Sequence, residues 1–463
     1  MIVSPHVTCK IHPVYAMIFS FFSKPILLNK AVEEVSYFID IPEIAVREFI
    51  CGLIGNKEIK HCKSKDGTTS SFPLNILIEE RDAFVKEIIY SPSQFAYEEL
   101  DFKHKRLFTS PIGIALIVNN SCVTDCCYCY ADKKTKTNLM PFSRVKTIIK
   151  NAYKANICNF YISGGEVFLY KQWKELLFCL HEFGFPPPLL STKIPVKEAD
   201  IMIIKELGSQ IQISLDSLSS RDLYKMLHVN SEYADKMKQT IMLLNQKNIS
   251  FQVTSVITKY NDSIENLEEI YEFLSQFEHL FNWEVRIAFR SLYSRNDFIR
   301  IRISKESEQK IYQWIQSKKR SSEINIQLSQ LDKNKYFGCE SGSTNFTGGE
   351  CSGNHYNMIV MPDGKVTICE QLYWNPRFII GDLSTQSIEE VWNSPRALWL
   401  SNLQKKDFQD SSVCKQCDIF EDCYDYHNKC YVDVLKAYGD KNWDFPDPRC
   451  KFAPPFIYDL LNS

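Results

Sequence analysis

The middle of the chain alternates between two patterns. Ile112–Val118 (IGIALIV) is a continuous apolar run, the pattern of a strand buried on both faces. Ile157–Ser163, Pro188–Ser191, Gln210–Leu215, Phe251–Thr258 and Trp283–Ala288 are five more expected strands. Between them apolar residues recur at helical spacing over Phe142–Tyr153, Lys171–Phe183, Val196–Leu207, Ala234–Lys247 and Ile264–Phe277. Asp262 and Ser263 are cap residues for the last of these helices. Strand and helix in regular alternation predict a parallel α/β sheet or an open barrel. Sites in such folds lie at the carboxyl ends of the strands.

The flanks read differently. Ile41–Ile54 (IPEIAVREFICGLI) predicts an amphipathic helix stopped by Gly55-Asn56. A polar stretch with Asp66-Gly67 follows, and then Phe72–Glu80, which predicts two strands around a turn. Helix and hairpin together suit a small winged-helix-like α+β module. Val14–Phe22 (VYAMIFSFF) is nine residues long, against the roughly 20 needed to span a bilayer. It predicts a buried strand or a helix start rather than a signal or an anchor. The polar stretch Lys318–Lys333 predicts a linker, beyond which cysteines and turns accumulate. The expected organisation is an N-terminal module over residues 1–105 and an α/β barrel domain over 106–300. A linker or helix over 301–338 and a cysteine-rich domain over 339–463 complete it.

Composition narrows the function. In 463 residues, 54 Lys and Arg stand against 56 Asp and Glu, a formal charge of -2. That balance argues against a nucleic-acid binder built on a broad basic surface. No membrane role is expected, and the expected location is cytoplasmic. The 17 cysteines are the unusual count. An odd number in a long chain without a secretory signal points to metal or redox chemistry rather than to a disulfide scaffold.

Directly after the first strand, Cys122, Cys126 and Cys129 stand on one short loop in the spacing C-x3-C-x2-C. Three thiolates can hold three irons of a [4Fe–4S] cube and leave the fourth iron open. An open position marks a catalytic metal site. A zinc site lacking its fourth ligand, or three packed thiols, would draw on the same residues.

The arrangement resembles the radical S-adenosylmethionine (SAM) enzymes, whose motif is CxxxCxΦC with Φ aromatic, here Tyr128. Further matches follow in chain order. Gly164-Gly165-Glu166 resembles the GGE that contacts the amino group of SAM. Ser191-Thr192 falls where the family has Thr-Asn, and Ser214-Leu215-Asp216 resembles the stretch lining the ribose. Arg221–Lys225 stands where many members have HDxxR, so Lys225 would hold the SAM carboxylate. Ser217, Lys225 and Val167 depart from the family pattern. The resemblance implies a partial (β/α)6 barrel that cleaves SAM to a 5′-deoxyadenosyl radical, with Thr192, Ser214 and Asp216 around the cofactor.

Eight more cysteines lie near the C-terminus. Cys351-x12-Gly364-x4-Cys369 precedes Cys414-x2-Cys417-x5-Cys423, then Cys430 and Cys450, with Cys339 upstream. Two four-thiolate sites account for all eight, and CxxC spacing serves zinc as well as iron–sulfur clusters. The series resembles the SPASM extension of radical SAM peptide maturases, although Cys430 follows Cys423 at a wider gap. The resemblance implies two auxiliary [4Fe–4S] clusters, three clusters in all. One would take Cys339, Cys351, Cys369 and Cys430, the other Cys414, Cys417, Cys423 and Cys450. Cys9, Cys51, Cys62, Cys127, Cys158 and Cys179 are expected to be buried apolar thiols. His355 and His427 lie near the array without metal spacing.

The function implied is maturation of a ribosomally made precursor peptide or protein through a thioether or carbon–carbon cross-link. Electrons would come from a donor such as flavodoxin or ferredoxin. One alternative is oxidation of a Cys or Ser to formylglycine, as in anaerobic sulfatase maturases, which carry an Asp just after an auxiliary-cluster Cys. Glu370 follows Cys369 here and would act as the base. The other alternative is a non-catalytic iron–sulfur carrier or peptide-binding scaffold.

Overall fold

A computed structural model describes residues 2–3, 8–9, 11–63, 69–73, 75–79, 90–96, 106, 110–131, 138–293, 298–321, 324–329, 351–421, 423 and 429–457. The chain divides into two compact units, Met1–Phe102 and Lys103–Ser463.

The first unit holds a short strand pair, β1 (Ile2–Val3) with β2 (Thr8–Cys9). Three helices follow, α1 (Pro13–Ser20), α2 (Leu28–Ile39) and α3 (Glu43–Cys51). The apolar run at Val14–Phe22 is therefore the helix α1. Ile18, Val32, Val35, Val46, Ile50 and Phe72 form the core of this unit. The hairpin lies one strand earlier than the apolar pattern predicts: β3 (Lys60–Lys63) pairs antiparallel with β4 (Thr69–Phe72). β3 reads KHCK, with no apolar alternation to announce it, so backbone pairing and the burial of Phe72 decide its place. Among the described residues beyond Phe72, Leu77 makes one isolated parallel bridge, to Ile54.

The second unit carries the barrel. β5 (Gly113–Ile117) and β6 (Asn159–Ser163) pair in parallel. β7 (Leu189–Thr192), β8 (Gln210–Ser214), β9 (Phe251–Ile257) and β10 (Leu280–Ile287) form a second parallel set. The helices between them are α4 (Phe142–Lys154), α5 (Trp173–Glu182), α6 (Glu198–Glu206), α7 (Ser220–Leu227), α8 (Tyr233–Gln246) and α9 (Ile264–Leu274). Ser263 caps α9 by accepting from Asn266 N at 3.1 Å. After the short α10 (Phe298–Ile301) and α11 (Lys305–Ser321) comes β11 (Ile326–Ser329). This seventh strand falls within the stretch read as linker, and it pairs in parallel with β10. Its sequence IQLS alternates apolar and polar, with Ile326 buried, but the polar residues around it read as a linker.

The C-terminal segment continues the sheet of the barrel rather than standing apart. β12 (Asn357–Val360) pairs in parallel with β5, and β13 (Lys365–Thr367) and β14 (Ile379–Asp382) extend the ladder antiparallel. Gly364 makes the tight β12–β13 turn at φ +95°. A Cβ there would lie 2.8 Å from Ser384 N, so both conformation and space require glycine. Arg144 of α4 donates to Leu383 O at 2.7 Å and to Gln386 O at 2.5 Å. One apolar core runs from Ile114 in β5 through Trp283 to Val360 and Trp392. The helices α12 (Ile388–Trp392), α13 (Pro395–Ser401) and α14 (Tyr431–Tyr438) close this end of the unit.

Candidate functional site

A cavity of about 390 Å³ opens at the carboxyl ends of the barrel strands. It is lined by Cys122, Cys126, Cys129, Gly164, Gly165, Glu166, Thr192 and Ser214, and also by Glu370, Gln371 and Tyr373.

The cysteine loop leaves β5 and is tied at both ends. Asn119 O accepts from Gly165 N at 2.8 Å, and Asn119 Nδ2 donates to Glu166 O at 2.9 Å. Glu166 N donates to Ser121 O at 2.7 Å. The two loops lie so close that a Cβ on Gly165 would sit 2.2 Å from Ser121 O. This is the physical reason for glycine at that position. At the other end, the amides of Asp125 and Cys127 donate to Leu227 O and Met226 O at the end of α7. Thr124 Oγ1 lies 3.2 Å from Cys122 Sγ and 3.3 Å from Cys126 Sγ.

Glu166 is buried, and burial pushes its carboxyl above the usual range. Three donors oppose that shift: Lys193 N at 3.0 Å, Thr192 Oγ1 at 2.9 Å and Phe168 N at 3.3 Å. Thr192 is thus spent on orienting Glu166. Asp216 lies behind the wall rather than in it. Its Oδ1 accepts from Val256 N at 2.8 Å, and its Oδ2 accepts from Lys193 Nζ at 3.0 Å and from the Tyr128 hydroxyl. Lys193 Nζ also donates to Tyr128 Oη at 2.7 Å. Burial alone would lower the Lys193 pKa, but Asp216 and then the Cys126 and Cys122 sulfurs carry it upward. Lys225 is exposed, with its Nζ 5.7 Å from the Tyr260 ring, and does not line the cavity.

Glu370 does line the cavity. Burial raises its pKa, and the Tyr130 hydroxyl pulls the other way. Tyr130, Lys193 and Arg286 are lining residues that no motif announced. Their signal is three-dimensional only.

The C-terminal thiols fall into neighbourhoods. Cys369 and Cys430 each feel the charge of Cys351. Cys414 feels Cys450 and Cys417, and Cys450 feels Cys417. Cys423 and Cys414 share Lys429 as a neighbour. Burial pushes the Cys369 thiol to about 12 and raises those of Cys414, Cys430 and Cys450. Thiols so desolvated become thiolates only with a cation beside them, which is the chemistry of a bound metal. Cys339 and His427 lie outside the described residues. Among the described residues no three His, Cys, Asp or Glu side chains close around a single ion. A four-iron cube takes its thiolates at separate corners. Of the remaining thiols only Cys179 is buried among the described side chains; Cys62, Cys127 and Cys158 are half-buried and Cys51 is exposed at the end of α3, contrary to the expectation of buried thiols. The side chain of Cys9 is not among those described.

Residues 116–274 match the family model of the radical SAM superfamily, and residues 351–418 match that of the iron–sulfur cluster-binding SPASM domain. The chain carries a radical SAM domain followed by a SPASM domain. These domains bind SAM, a [4Fe–4S] cluster and auxiliary iron–sulfur clusters, and the radical SAM domain marks an enzyme. The fold is similar to that of SuiB from Streptococcus suis bound to S-adenosylmethionine. That match has TM-score 0.56 at 17% identity and covers 76% of this chain and 79% of that one. SuiB bound to the precursor peptide SuiA matches with TM-score 0.55 at 16% identity, covering 74% and 76%. The anSMEcpe protein with bound AdoMet matches with TM-score 0.50 at 14% identity, covering 75% and 93%. An uncharacterised protein of Methanocaldococcus jannaschii is 27% identical over 172 residues, 35% of this chain. The match spans 58% of that relative's length. Among the described residues no helix is long and apolar enough to cross a membrane.

Proposed function

We propose that this radical SAM chain matures a ribosomally made peptide by closing a thioether or carbon–carbon cross-link. The observation that carries the reading is the shared wall of the cavity. The cysteine loop of the barrel and Glu370, Gln371 and Tyr373 of the SPASM segment line it together, with Glu370 hydrogen-bonded to Tyr130 next to Cys129. A peptide side chain between them would meet the site of radical formation and a carboxylate at once. A fold neighbour that binds its precursor peptide, SuiB with SuiA, supports a peptide substrate.

In this reading Cys122, Cys126 and Cys129 hold the cluster that binds SAM. Gly164, Gly165, Glu166 and Ser214 surround SAM, and Thr192 keeps the Glu166 carboxylate aimed. Cys339, Cys351, Cys369 and Cys430 hold one auxiliary cluster; Cys414, Cys417, Cys423 and Cys450 hold the second. When bound, these groups supply a hydrogen-abstracting 5′-deoxyadenosyl radical and an acceptor for the electron later released. Closing a carbon–sulfur bond on the resulting carbon radical releases the thiol proton and one electron. Glu370 takes that proton, as a half-buried carboxylate with a raised pKa is suited to do.

The first unit is the proposed recognition element. Leu27, Tyr37, Phe38, Ile41 and Ile44 expose apolar surface within a short stretch of it. Among the described residues β3 and β4 pair only with each other, so a leader segment could add as a further strand. Removing residues 1–102 should weaken binding of a full precursor and spare uncoupled SAM cleavage. Unchanged affinity would move recognition elsewhere.

The test of the function uses anaerobically reconstituted protein, SAM, dithionite and a cysteine-containing precursor encoded beside its gene. The expected product is lighter by two hydrogens, has lost a free thiol or an aromatic C–H, and forms with 5′-deoxyadenosine. A product that instead reacts with a hydrazide carries an aldehyde. That result would replace the cross-link with formylglycine formation, the second reading that Glu370 admits.

A further inference from the structure

Among the described residues two cations line the cavity, Lys193 and Arg286. Lys193 Nζ is committed on two sides, to Asp216 Oδ2 at 3.0 Å and to Tyr128 Oη at 2.7 Å. Arg286 is held at one edge only. It is the penultimate residue of β10, and its side chain is 47% exposed. Among the described residues only its Nη2 has an acceptor, Glu284 Oε2 at 2.7 Å.

Glu284 precedes Arg286 by two residues, so both side chains leave the same face of the strand. It is not among the residues that line the cavity. Its carboxylate also accepts from Gln252 of β9 at 3.2 Å and from Ser329 of β11 at 2.5 Å. A carboxylate tied to three neighbouring strands fixes the guanidinium that it holds. The donors on Nε and Nη1 have no acceptor among the described residues. A guanidinium offers five N–H groups in a rigid fork that matches a carboxylate through two parallel bonds. A fork oriented before its ligand arrives also lowers the ordering cost of binding.

We propose that Arg286 receives the carboxylate of an Asp or Glu side chain in the core of the precursor, and so selects which stretch of the peptide is presented for hydrogen abstraction. The inference rests on the reading above that a peptide enters this cavity. SAM also carries a carboxylate, but on the same carbon as its ammonium. The expected partner of that ammonium, Glu166, is oriented by Thr192 and Lys193 at the end of β7. β10 stands three strands further round the sheet, beyond β8 and β9. An amide in place of the acid keeps its shape but gives the fork one acceptor atom instead of two.

The test uses the anaerobically reconstituted full chain with SAM and the precursor encoded beside its gene. Each Asp and Glu of the precursor core is changed in turn to Asn or Gln. KM, kcat, and the affinities for precursor and SAM without reductant are measured for wild type, Arg286→Met and Arg286→Lys. One replacement should raise the wild-type KM on the order of 10–100-fold, the range for a hydrogen bond to a charged group. Arg286→Met should show a similar rise with the parent precursor and no further rise with that replacement. Arg286→Lys keeps the charge without the fork and should fall between the two. Should Arg286→Met not hold the iron of wild type, Arg286→Lys carries the comparison, and the same acid must lose part of its effect there. Penalties that simply add between enzyme and peptide, or a matured core in which wild type detects no acid, would overturn the proposal. So would a loss of SAM affinity in Arg286→Met with precursor affinity intact, which would give the guanidinium to SAM. A wild-type chain that neither binds nor alters the precursor would instead reject the peptide reading, and this inference with it.

Discussion

The ammonium of Lys193 stands 3.0 Å from Asp216 Oδ2, with the Lys193 side chain 16% and the Asp216 side chain 0% exposed. Tyr128, the aromatic residue inside the first cysteine motif, joins both through its hydroxyl. The pair thus connects the ends of β7 and β8 to the loop that carries Cys126 and Cys129. Removing one partner of a buried pair leaves an uncompensated charge, which costs about 3–5 kcal/mol. Lys193→Met should therefore lower the denaturation midpoint and weaken SAM binding. A Lys193→Met, Asp216→Leu double replacement should recover much of the stability and none of the SAM affinity. Measured unfolding of the three proteins checks this. An unshifted midpoint in the single variant would contradict the buried pair.

The metal count follows from eleven cysteines in two arrays. Anaerobically reconstituted protein should hold about twelve irons, three cubes of four. Changing Cys122, Cys126 and Cys129 together to Ala should leave about eight irons and no SAM cleavage, read as 5′-deoxyadenosine. Stoichiometric zinc in protein isolated without oxygen would speak against the auxiliary clusters.

Glu370 faces the cavity beside Tyr130. Glu370→Gln should retain iron and uncoupled SAM cleavage while slowing product formation by roughly 10²–10⁴-fold, the range for general acid–base work. An equal product yield would return Glu370 to a lining role alone.

A pH effect on stability is expected at Glu284 on β10. It accepts from Gln252 of β9 at 3.2 Å, from Ser329 of β11 at 2.5 Å and from Arg286 at 2.7 Å. Burial alone would raise its pKa, but the bonds from Arg286 and Ser329 outweigh that and lower it. A lowered pKa contributes stability above the usual glutamate value of about 4.3 and loses it as pH falls through the folded value. Glu284→Gln should therefore be less stable than wild type at pH 7, with the gap closing in acid. Denaturant midpoints across pH check the sign; a gap that widens in acid would reverse it.

Most of the barrel was legible because its signals are local. A continuous apolar run marked the first strand and shorter apolar or alternating stretches the other five, and C-x3-C-x2-C and GGE each lie within a few residues of a strand end, where the backbone itself brings them to the cavity. Gly165 and Gly364 are legible for the same reason, since each answers a close backbone approach. What escaped was polar or distant. β3 lacks apolar alternation and is held by pairing with β4, whereas β11 (IQLS) alternates inside a stretch whose polar residues read as a linker. Lys225, read as a SAM contact from its place in a motif, is exposed beside Tyr260 and is not among the residues that line the cavity.

The sequence by itself determined the thiol loops, the strand–helix alternation and the glycine turn before Glu166, because each is a property of contiguous residues. Only the tertiary structure decided that β12 joins β5 across some 240 positions of chain, bringing Glu370 to the cavity of Cys126. It alone also decided that Lys193 meets Asp216. Single lysines carry no spacing pattern. Their partners come from other elements, and only burial, which makes an unpaired charge expensive, selects which ones they meet.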